Sequence, residues 1–162
     1  MRYSFISGLL ITLVTTATAV AQTATITVDG EVTTPLKLST ADISNMKKTT
    51  LQATDRDGKA HAYSGVPVTD ILRLAGVTLG PRLRGENMAK YLLVKSGDGY
   101  EVLFSLAELD SSFTDRVVIL ADQVDGKPLP EGKGPFRLVV PGEKKPARWI
   151  WEVTGMTVRF AK

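Results

Sequence analysis

EGKGPFRLVVPG, residues 131 to 142, sets an apolar strand between a Gly-Pro pair and a Pro-Gly pair. Phe136, Leu138, Val139 and Val140 are apolar on successive as well as alternate positions, the pattern of a strand covered on both faces. Lys133 and Arg137 need a second explanation, because Gly132 and Gly134 leave the backbone beside them bare of side chains. Two readings are open. The stretch is either an edge that binds a ligand, or a strand end whose basic residues face water.

The rest of the chain narrows the choice. Its 162 residues, 43% hydrophobic and 23% charged, suit one domain large enough to bury its own core. The N-terminus has the form of an export signal: Arg2, an apolar run from Phe5 to Val14, and Ala19-Val20-Ala21 as a small-x-small cleavage site. Residues 1–21 are therefore expected to be removed, leaving 22–162 as the domain, with a mature chain starting at Gln22. A single arginine stands before the apolar run, so the signal is of the Sec type and not the twin-arginine type. The expected destination is the periplasm or the medium. No second apolar run reaches the roughly 18 residues of a membrane span. A net charge of +3 is too small for a nucleic-acid binder, and there is no cysteine for a disulfide or a thiolate.

Alternating threonine and apolar residues from Thr23 to Val28, a turn at Asp29-Gly30 and an extended run from Val32 to Leu38 predict a hairpin. Ser39 or Thr40 caps a short helix over Asp42 to Met46, and strands at Thr49–Thr54 and Lys59–Tyr63 flank the Asp57-Gly58 turn. Val68, Ile71, Leu72 and Ala75 recur at helical spacing, with Pro67 in the first turn and Gly76 after the last. Strands follow at Tyr91–Val94 and Tyr100–Phe104, then a capping box at Ser105 and Glu108, then strands at Val117–Ala121, Phe136–Val140 and Met156–Phe160. Many short strands and few short helices predict an α+β, mainly-β single domain without βαβ alternation.

Most familiar chemistries are excluded residue by residue. His61 is the one histidine and lies in an alternating KAHAY stretch, the place of a surface or hydrogen-bonded structural histidine, and no GxSxG surrounds a serine. Without cysteine, one histidine cannot complete a zinc site. DRDG at 55–58 lacks the sixth-position glycine and twelfth-position glutamate of a calcium loop and reads as a hairpin turn. There is no GxGxxG or Walker loop. Trp149 and Trp151, two apart, are expected on one face of a strand, as core or as a clamp between elements. No catalytic residue and no metal ligand is assigned.

From Tyr63 to Phe160 the chain resembles, in order, the blocks of the molybdopterin-binding domain of the sulfite oxidase family: YSGVPVTDILRLAGV, AKYLLVKSGDGYEV, LADQVDGKPLPEGKGPFRLVVPG and ARWIWEVTGMTV. The most specific block is GPFRLVVPG followed by Arg148-Trp149. The resemblance implies that fold, and it implies cofactor contacts at Lys133, Gly134, Arg137 and Arg148. It also carries departures. The family's molybdenum-ligating cysteine has no counterpart, its cofactor-associated histidine aligns with Lys133, and the segment before Tyr63 is short for loops that embrace a cofactor. Export unfolded through Sec, when relatives outside the membrane cross already loaded, points the same way.

Gly132 and Gly134 leave backbone approachable, Arg137 would offer a planar donor fork, and Lys133, Lys144, Lys145 and Arg148 would place positive charge along one edge. The chain is thus expected to be an exported, non-catalytic binding or interaction module without molybdenum redox activity and without a cofactor. Its partner would be an unidentified protein or a small anionic ligand. Two alternatives stay open: a molybdopterin-binding domain or subunit of an oxidoreductase, and a structural partner of a redox or sensory protein.

Overall fold

The computed structural model describes residues 24–161, so the expected leader and its cleavage site lie outside the described residues. Among the described residues, ten strands form two five-stranded sheets. β1 (Thr25–Gly30) and β2 (Leu36–Ser39) make the expected antiparallel hairpin, with Val28 opposite Leu36, but Asp29 and Gly30, expected as its turn, belong to β1 and the chain reverses over 31–35. α1 (Thr40–Asn45) follows at once because Ser39 caps it: the Asp42 N–H donates to Ser39 Oγ, and the Asp42 carboxylate accepts from the Ser39 N–H at 2.7 Å.

β3 (Thr49–Thr54) and β4 (Ala60–Pro67) pair across the Asp57-Gly58 turn, where Gly58 takes φ +76°. β4 runs past its expected end at Tyr63, because Ser64, Gly65 and Val66 are needed for pairing with β7 (Ile119–Val124). A side chain at Gly65 would meet the Leu120 carbonyl and the Ala121 backbone, so only glycine lets the two strands approach here. Pro67 ends that strand and caps α2 (Val68–Leu74) instead of lying in its first turn. Val68, Ile71, Leu72 and Ala75 are buried as the spacing predicted.

β5 (Lys90–Ser96) and β6 (Glu101–Ser105) form the third hairpin. The remaining strands are β8 (Lys127–Pro128), β9 (Arg137–Val139) and β10 (Val153–Phe160). One sheet has the order β2-β1-β10-β5-β6, with β1 parallel to β10; the other is β3-β4-β7-β8, with β9 also on β7. A single apolar core joins them, drawing Ile26, Leu92 and Val158 from the first and Val66, Leu120 and Leu138 from the second. β9 is shorter than the expected Phe136–Val140, yet all five of those residues are buried. No helix among the described residues is long and apolar enough to cross a membrane.

Candidate functional site

Arg137 is the centre of the region that the sequence singled out, and it is 1% exposed. β9 places it against β7 through the Ala121 pairing, and a bridge to Trp151 closes its other side. Its guanidinium donates to both Asp55 oxygens, at 2.6 and 2.9 Å, and to the Tyr63 hydroxyl at 2.8 Å, while that hydroxyl donates to Asp55 at 2.7 Å. Aromatic faces surround the cation: the Trp151 ring centre is 3.7 Å from Cζ, and those of Trp149 and Tyr63 are 5.3 and 5.4 Å away.

This cluster corrects the sequence reading. The donor fork of Arg137 is not offered at an edge, because a buried guanidinium needs its own counter-ion and Asp55 supplies it. The Arg137 hydrogen bonds hold the Asp55 carboxyl far below the usual carboxylate range, against the opposing effect of burial. Burial, reinforced by the hydrogen bond to Asp55, pushes the Tyr63 hydroxyl well above its usual range. The DRDG segment does form a hairpin turn, but its first residue also neutralises a buried cation from 82 positions away, a pairing with no local signal.

Arg148 is committed as well. It lies at the end of a 3-10 turn, Pro146–Arg148, and pairs with Glu108 at 2.6 Å and with Glu143. Burial lowers its affinity for the proton, but the two carboxylates outweigh that and hold the guanidinium above its ordinary value. It packs over Phe104 and donates to the Leu103 carbonyl at 3.0 Å, on the outer strand β6. Glu108 therefore does not complete the capping box expected at Ser105; only the Glu108 N–H to Ser105 Oγ half forms.

Trp149 and Trp151 do not share a strand. Trp149 ends the 3-10 turn, is buried in the core and donates its indole N–H to the Val140 carbonyl at 2.8 Å. Trp151 is half-buried ahead of β10. Both line a cleft of about 400 Å³ between the β5–β6 turn and residues 147–152. Lys133 and Arg56 are on this cleft, with Asp98 and Glu152. Gly134, whose peptide to Pro135 is cis, instead lines a separate groove with Leu129 and Asp122, and Lys144 lines a third near β3. Of the four residues singled out, only Lys133 reaches the cleft; Gly134, Arg137 and Arg148 are held elsewhere.

His61, expected to be structural, bridges two turns. Its Nδ1 is 2.7 Å from Asp125 and its Nε2 is 3.0 Å from Asp57. Both carboxylates favour the imidazolium, Asp125 most, and raise its pKa above the ordinary histidine value.

Comparison with known proteins places this geometry. Residues 14–160 match the family model described as the oxidoreductase molybdopterin binding domain. Among solved structures, the sulfane dehydrogenase SoxCD from Paracoccus pantotrophus is similar with a TM-score of 0.66 and 22% identity, over 83% of this chain. The chain spans 38% of the length of that structure's chain. No curated protein matches.

The donors present differ from those the resemblance implies for a molybdenum cofactor. The chain has no cysteine to supply a thiolate. The Nη donors of Arg137 are hydrogen-bonded to Asp55 and Tyr63, and the donors of Arg148 to Glu108, Glu143 and the Leu103 carbonyl, whereas Arg137 Nε is buried without a partner.

Proposed function

The chain belongs to the oxidoreductase molybdopterin-binding domain family, and from that premise we propose that it is an exported binding or interaction module on the family's fold, without molybdenum redox activity. The Arg137–Asp55 pair carries this reading. A phosphate-bearing cofactor would have to displace a buried bidentate carboxylate or bind without that arginine, and a guanidinium so paired gains little from exchanging one anion for another. The absence of a thiolate adds to it, since a carboxylate or lysine would give molybdenum a site of different affinity and potential.

Metal analysis of the protein purified from its native compartment tests the proposal. No stoichiometric molybdenum and no turnover of sulfite or sulfoxide are expected. Stoichiometric molybdenum would overturn it in favour of a second reading, a molybdopterin-binding domain or subunit of an oxidoreductase, which the family match itself favours. Export is part of the proposal: mass spectrometry of the mature protein should find a chain that begins at Gln22, and retention of residues 5–14 would contradict it.

A further inference from the structure

We propose that the cleft lined by Trp149 and Trp151 binds a small zwitterion carrying a planar aromatic ring, the chemistry of an aromatic amino acid. The inference rests on the reading of the chain as a binding module and names the ligand class of that cleft.

The ring recognition comes from Trp151. Arg137 covers one face of its indole at 3.7 Å, and the same indole lines the cleft. Because Arg137 is itself locked by Asp55, the indole is held in one orientation before any ligand arrives. A rigid aromatic surface costs little entropy on binding. Tyr100 adds a second aromatic wall: it is 52% exposed, and its hydroxyl donates to the Ala147 carbonyl at 3.2 Å, tying the β5–β6 turn to the opposite side of the cleft. The volume of about 400 Å³ is in the range of small-molecule sites.

The charge pattern selects the zwitterion. Arg56 and Lys133 line the cleft and are in no salt bridge among the described residues. The acids come from two segments joined to each other: Asp98 on the turn and Glu152 beside it, where the Gly97 N–H donates to the Glu152 carbonyl at 2.9 Å. Glu152 adopts φ +51°, a left-handed backbone that is rare for a residue with a side chain, and it forms no salt bridge among the described residues. Two cations and two carboxylates around these aromatic walls complement a ligand with both signs of charge. They disfavour a dianion such as a phosphate monoester, which would meet Asp98 and Glu152 as well.

Both tryptophans of the chain line the cleft, so intrinsic fluorescence reports occupancy directly. The full mature chain is titrated with L-phenylalanine, 3-phenylpropionate and phenethylamine, which carry the ring with both charges, only the anion or only the cation. Calorimetry repeats the titration on Trp151→Leu, Arg56→Gln/Lys133→Gln and Glu152→Gln, with folding checked by circular dichroism. Saturable millimolar binding of L-phenylalanine is expected, about tenfold weaker for each singly charged analogue and in each charge variant, and lost in Trp151→Leu. Equal affinity for 3-phenylpropionate, binding indifferent to Trp151→Leu, or no saturable binding in the folded wild type would each overturn the inference. None of these results changes the molybdenum content, so the two readings fail separately.

Discussion

Arg137 and Asp55 are 82 positions apart in sequence, yet they form a two-pronged ion pair inside the protein, with Arg137 Nη1 and Nη2 at 2.6 and 2.9 Å from the carboxylate oxygens. The pair ties β9 to the β3–β4 turn and fixes the indole of Trp151 from below. Removing one partner strands a buried charge, so Asp55→Ala should destabilise by about 3 to 5 kcal/mol. Arg137→Lys should not restore the loss, since an ammonium makes neither the fork nor the planar stack. Urea unfolding measures both, and a cost below roughly 1 kcal/mol for Asp55→Ala, the scale of a surface pair, would contradict the burial argument.

Leu138 is wholly buried at the centre of β9. Leu138→Ala leaves a cavity among Leu120 and its neighbours and should cost about 2 to 5 kcal/mol in the same assay. A value under about 1 kcal/mol would place that strand at the surface and the fold would be wrong.

His61 lies between Asp57 and Asp125 and has a raised pKa in the folded chain. A raised folded pKa means that the native state holds the proton more tightly than the unfolded state. The stabilisation is therefore complete below the unfolded histidine value of about 6.5 and fades as pH rises through the higher folded value. The wild type should lose stability across that window, whereas His61→Gln should show a flatter profile there. Parallel profiles for the two proteins would remove the clamp.

Arg148 donates to the Leu103 carbonyl on β6, which among the described residues has β5 as its only strand neighbour. Strand edges with free backbone groups template association, and Leu103 on this edge is itself an exposed hydrophobic residue. Arg148→Ala should increase concentration-dependent self-association, read by light scattering, while far-ultraviolet circular dichroism stays unchanged. A variant as monodisperse as the wild type would reduce Arg148 to a surface ion pair.

Most of the local structure was legible in the order of residues. The Asp57-Gly58 turn, the Ser39 cap and the spacing from Val68 to Ala75 each specify an element from neighbours in the chain and each formed there, whereas Asp29-Gly30, expected as a turn, extends β1 because β10 pairs with it. The order of blocks from Tyr63 to Phe160 was enough for the family. What the basic residues do became visible with long-range packing. A lone arginine beside a glycine reads the same whether it faces solvent, a cofactor or a distant aspartate, because its counter-ion is chosen by strand pairing across 82 positions and not by sequence spacing. The parallel contact of β1 with β10 and the meeting of Arg56, Asp98, Lys133 and Glu152 on one cleft are likewise products of topology, which brings together turns that have no periodic relation in the chain.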